Sequence, residues 1–125
     1  MASEDLDGLL AQADQFRING EYEKAQPLYE KILSQDDSIA AAWNGLGHCQ
    51  LNTGFFEESI ASYEKAWQLA PDELKYGNHL GKALCMIGEY ERAKQVFKEV
   101  LAKDPENQEA LEQLAYFPEE SDDVS

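Results

Sequence analysis

Two histidines, two cysteines and a handful of Asn and Lys residues hold the chemistry open to this 125-residue chain. His48 and His79 have no Asp or Ser at triad-like local spacing. A metal site built on them would need a third or fourth ligand, and none stands at a recognisable distance in the sequence. Cys49 and Cys85 lack a CxxC partner, which argues against zinc and against redox work. Cys49 reads as a small buried residue. There is no nucleophile elbow, no Gly-rich phosphate loop and no HExxH. Neither catalysis nor a cofactor is expected. What remains is recognition: Asn donates and accepts hydrogen bonds along a peptide backbone, and Lys attracts carboxylates.

The charge balance narrows the partners. Twenty-five acidic residues face 10 basic ones, for a net charge of −15. Such a chain repels the phosphate backbone, so nucleic acid is not expected as a ligand. No stretch approaches the roughly 20 apolar residues that span a bilayer. The opening MASEDLDG is acidic where a secretory signal is basic and then apolar. The expectation is a cytoplasmic protein without membrane insertion.

The elements that position these residues are written in a repeat. GEYEKA at 20–25 returns as GEYERA at 88–93, and GFFEES fills the midpoint at 54–59. A period of 34 is the mark of stacked helical units. The windows are 6–39, 40–73 and 74–107. The first carries seven acidic and three basic residues, the second five and one, the third five and six. In each, two bursts of apolar residues at helical spacing are split by Gly20, Gly54 or Gly88, where a helix end calls for positive φ. Pro71 and Pro105 close the second and third windows.

Small residues recur at the eighth position (Ala13, Gly47, Gly81) and the twentieth (Ala25, Ser59, Ala93). They permit close helix approach. Aromatics at the seventeenth (Tyr22, Phe56, Tyr90) and twenty-fourth (Tyr29, Tyr63, Phe97) are expected to fill the space around them. A lone hairpin cannot bury such a face, so the units must stack. Residues 108–117 repeat the first-helix spacing, with Leu111, Leu114 and Ala115 aligned on Trp43, Leu46 and Gly47, and are expected to cap the stack. Pro27 is expected to kink its helix. Residues 1–5 are an acidic end. The tail 118–125, PEESDDVS, is too poor in apolar residues to fold.

The order W-x2-L-G, then G-x-aromatic, A-x3-F and a closing Pro resembles the tetratricopeptide repeat, over 102 residues in three copies without insertion. Leu9, Gln12 and Asp37 depart from the pattern in the first window, as does Gly77 in the third. The resemblance implies an all-α, right-handed superhelical solenoid of helix-turn-helix hairpins with about seven helices. It also implies that first helices line a groove for a peptide or partner helix.

Positions carried over from the family place Arg17 in that groove from the first repeat. Asn44, His48, Leu51 and Asn52 come from the second, and Lys75, Asn78, Lys82, Cys85 and Met86 from the third, with His79 at the edge. In repeats two and three this face holds two Lys, two His and three Asn, and no acid. The expected partner is a protein or peptide, acidic or with a free C-terminal carboxylate. The carboxylate clamp by which co-chaperones of the family hold heat-shock tails is not matched. Its positions carry Leu10, Asp14, Gly45, Lys75 and His79, of which only the last two fit.

The reading is therefore a monomeric, non-enzymatic adaptor. Two alternatives stand beside it: a scaffold that self-associates by repeat stacking, and a secretion-type chaperone, whose usual longer N-terminal helical region is missing here. Phe55, in a turn position usually polar, is expected at the surface.

Overall fold

A computed structural model describes residues 5–117. Seven α-helices follow one another: α1 (Leu6–Ile18), α2 (Tyr22–Gln35), α3 (Ala40–Asn52), α4 (Phe56–Leu69), α5 (Leu74–Met86), α6 (Tyr90–Lys103) and α7 (Gln108–Ala115). Each helix packs on the next in sequence, and first helices also touch across repeats, α1 on α3 and α5 on α7. The fold is a stack of three helical hairpins closed by a seventh helix.

The three hairpin turns share one construction. Gly20, Gly54 and Gly88 take φ of 78°, 93° and 82°, a region that costs a residue with a Cβ. The amide after each glycine donates back to the last turn of the first helix: Glu21 to Phe16, Phe55 to Gln50 and Glu89 to Leu84, at 2.8, 2.8 and 2.9 Å. This is the Schellman arrangement, and it satisfies carbonyls that a helix end otherwise leaves unpaired.

Close approach within a hairpin needs the small residues. A Cβ on Gly47 would stand 2.8 Å from the Tyr63 ring, and one on Gly81 would overlap Phe97. Tyr29, Tyr63 and Phe97 are fully buried, as the pattern predicts. The seventeenth-position aromatics behave differently. Phe56 is 40% and Tyr90 55% exposed, and only Tyr22 packs against a core. Phe56 and Tyr90 are the first residues of α4 and α6, at the rim of the hairpin, where Tyr90 meets the Phe117 ring edge to face at 6.1 Å between centroids.

The core is in two clusters. One joins Ala13, Tyr29 and Ile32 to Leu46 and Cys49 of α3. The other joins Tyr63 of α4 to Leu84, Phe97, Val100 and Ala110. The hairpin α3–α4 thus serves both. Tryptophans clasp the joints between repeats: Trp43 Nε1 donates to the Asp37 carbonyl at 2.8 Å, and Trp67 Nε1 to that of Pro71 at 3.2 Å. Trp67 also fills the place left by Gly77, whose Cβ would fall 2.9 Å from its indole.

Helix α7 caps the stack through Leu114, as expected, and through Ala110, which the repeat spacing did not mark. Ala110 is fully buried and Leu114 packs on the second core, whereas Leu111 is 44% exposed and Ala115 is exposed. The eighth position of a window packs on that window's own second helix, as Gly47 does on Tyr63 and Gly81 on Phe97, and α7 has none. Helix α2 runs unbroken through Pro27, which sits on its exposed side. The tail 118–125 lies outside the described residues, as do residues 1–4.

Candidate functional site

The face shared by α3 and α5 is organised by a chain of polar contacts. The rings of His48 and His79 meet edge to face, with centroids 4.6 Å apart and planes at 67°. His48 Nδ1 is hydrogen-bonded to the Tyr63 hydroxyl at 2.7 Å. His79 Nδ1 lies 2.9 Å from Asn44 Oδ1. A carboxamide oxygen only accepts, so His79 donates from Nδ1 and keeps a lone pair at Nε2. Asn52, exposed at the end of α3, donates its amide to the His48 carbonyl at 2.8 Å.

Both histidines are neutral at physiological pH. Burial, helped by the neighbouring ring and by Arg17 and Lys82, pulls His48 down to about 3. Burial and the Lys82 charge pull His79 down to about 4. They contribute hydrogen-bonding atoms to this face and no positive charge.

The lysines divide. Lys75 is exposed, its ammonium 5.7 Å from the Tyr76 ring centroid. Lys82 is engaged by Glu109 of α7 in an ion pair. The face therefore does include an acid. Lys82 is ninth in its window and Glu109 second in the next, a register that the repeat contains but that an alignment of groove positions alone does not reveal.

Asn78 is also committed to α7. It is 3% exposed and donates through Nδ2 to Asn107 Oδ1 at 3.0 Å, while its own Oδ1 has no partner among the described residues. Asn107 in turn caps α7, accepting from the Ala110 amide at 3.0 Å. In the third repeat, two residues expected to face a ligand face the capping helix.

At the other end, Arg17 Nε donates to the Tyr29 hydroxyl at 2.9 Å, and its guanidinium lies 3.5 Å from Asp14. Tyr29 donates to the same carboxylate in a short bond. The apolar members separate too: Leu51 and Cys85 are half-buried against the second core, and Met86 is 62% exposed. Burial raises both thiols, Cys49 to about 11, so neither is a thiolate. No cluster of three or more His, Cys, Asp or Glu among the described residues could hold a metal ion.

Residues 28–125 match the family described as the cytochrome c-type biogenesis protein H TPR domain. The chain belongs to the tetratricopeptide repeat family. The Arabidopsis thaliana protein CTR9 homolog is 31% identical over 106 residues, which is 83% of this chain and 10% of that protein. Curated relatives are matched over only 7% to 20% of their own length. Among solved structures, the second TPR domain of human RPAP3, in complex with the HSP70 peptide SGPTIEEVD, superposes with a TM-score of 0.79 at 25% identity, over 86% of this chain and 89% of that one. The Yersinia enterocolitica type III secretion chaperone SycD, bound to a peptide of the translocator YopD, gives 0.79 at 22% identity over 91% and 87%. TPR domains of this kind are peptide-binding modules, and no helix among the described residues is long and apolar enough to cross a membrane.

Proposed function

We propose that this TPR unit is an adaptor that holds a short segment of a partner protein against the α3–α5 face. The reading is carried by the linked row Asn44–His79–His48, an uncharged run of donors and acceptors suited to a peptide backbone and held from beneath by the buried Tyr63 hydroxyl. Lys75 flanks the row as an exposed cation, and it would take one carboxylate, from an acidic side chain or a free C-terminus. Leu51 and Met86 supply apolar contact at the other edge. Asn78 and Lys82 act through α7, by seating the cap that borders the groove.

The test is selection from a peptide display library with free C-termini, using wild type and a Lys75→Glu/Asn44→Ala variant of unchanged helix content. Wild type should enrich carboxylate-bearing peptides, and the variant should bind them at least about tenfold more weakly, the loss of a charge-assisted contact. Equal enrichment by both proteins would remove the α3–α5 face from consideration.

A further inference from the structure

A second surface borders that groove and shares only Met86 with it. Ile18, Phe55, Phe56, Met86 and Tyr90 are exposed by 68%, 53%, 40%, 62% and 55%, and none belongs to either core. All five sit at the hinge between first and second helices: Ile18 and Met86 end α1 and α5, Phe55 precedes α4, and Phe56 and Tyr90 begin α4 and α6. Stacking sets these hinges side by side along one edge. A recess of about 460 Å³, lined by the first hinge (Gly20–Lys24) together with Asn52 and Thr53 of the second, shows that the first two adjoin.

Carboxylates interleave the apolar residues. Glu21, Glu23, Glu57, Glu58, Glu89 and Glu91 are all exposed along the edge. Of the cations there, Lys24 lies 4.0 Å from Glu21, Lys94 is paired with Glu91 at 3.1 Å, and Arg92 is paired with Glu64. Phe55 is the least expected member. The same place in the other hinges is Glu21 and Glu89, and as a helix N-cap residue Phe55 accepts no capping hydrogen bond. Its ring serves neither the helix nor a core. An apolar patch rimmed by one sign of charge is the footprint of a partner with the opposite sign.

We propose that this hinge edge is a second interaction surface, and that its occupant is a basic amphipathic segment of a partner protein. The partner's apolar side chains rest on Ile18, Phe55 and Phe56, while its Lys or Arg residues reach the interleaved glutamates. The same glutamates repel phosphate-bearing surfaces. The inference does not depend on the groove reading.

The probe is a synthetic helical peptide of Leu and Lys only, segregated on opposite faces, titrated into the protein with backbone amide shifts and fluorescence anisotropy as readouts. Shifts should cluster at Gly20, Gly54, Phe55 and Gly88. An Ile18→Ser/Phe55→Ser variant, which leaves the charge and the groove residues unchanged, should weaken binding about tenfold or more. Glu57→Gln/Glu58→Gln should weaken it and flatten its salt dependence, whereas Glu99→Gln/Glu106→Gln, the same charge change elsewhere, should cost under about twofold. Equal losses in both Glu pairs, an unaffected Ser variant, or shifts centred on Asn44 and Lys75 would each overturn the proposal. Lys75→Glu should leave this binding intact, which separates the two surfaces.

Discussion

His48 and His79 give the molecule a pH dependence of known sign. Both are neutral when folded, with pKa values pulled to about 3 and about 4, against about 6.5 in the unfolded chain. As pH falls below about 6.5, the unfolded chain takes up protons that the folded one refuses, so stability drops. The loss levels off near the folded values, where carboxylates also titrate. Between about pH 7 and pH 5 the melting temperature of wild type should fall, and that of His48→Gln/His79→Gln should fall less. Equal slopes would mean that the pair is not the source. Gly45 makes a second case at this scale. Its missing Cβ leaves room for the Tyr29 ring, whose hydroxyl holds Asp14 and Arg17. Gly45→Ala should destabilise by about 1–3 kcal/mol in urea unfolding, because the ring cannot retreat through a packed core. From sequence Gly45 read only as a mismatch to the carboxylate clamp. Its packing role needed Tyr29 placed across the repeat boundary.

Among the elements, α7 is held as much by polar contacts as by burial. Asn107 caps it and meets Asn78, while Glu109 meets Lys82. Asn107→Ala should cost about 1–2 kcal/mol and raise hydrogen exchange in α7 ahead of the other helices. A variant whose α7 amides stay protected would show that burial of Ala110 and Leu114 suffices. The helices themselves were legible because glycine at each hinge and a strict 34-residue period leave little choice of boundary. Phe56, Tyr90 and Leu111 were not, since apolar spacing marks the inward face and says nothing of whether a neighbour lies over it. Lys82 failed for a related reason: its pairing partner belongs to the half repeat, whose polar face carries no pattern of its own.

For the whole molecule, the two core clusters predict unequal response to damage. Val100→Ala leaves a void in the cluster of α4–α7. It should lower exchange protection through α5–α7 by an amount matching a loss of about 2–3 kcal/mol, with a smaller change in α1 and α2. A uniform drop would make the stack one cooperative unit. The candidate groove was legible only as a face, because repeat register names positions, whereas the neutral state of its histidines and the occupation of Asn78 follow from depth and from α7. Trp43 and Trp67, the only tryptophans in the chain, each clasp a different joint and border a different cluster. Their emission can therefore be assigned by halves: Trp43→Phe leaves light only from the joint of repeats two and three, and Trp67→Phe only from that of repeats one and two. The stack carries its own optical gauge at each seam, and no dye need be attached to read it.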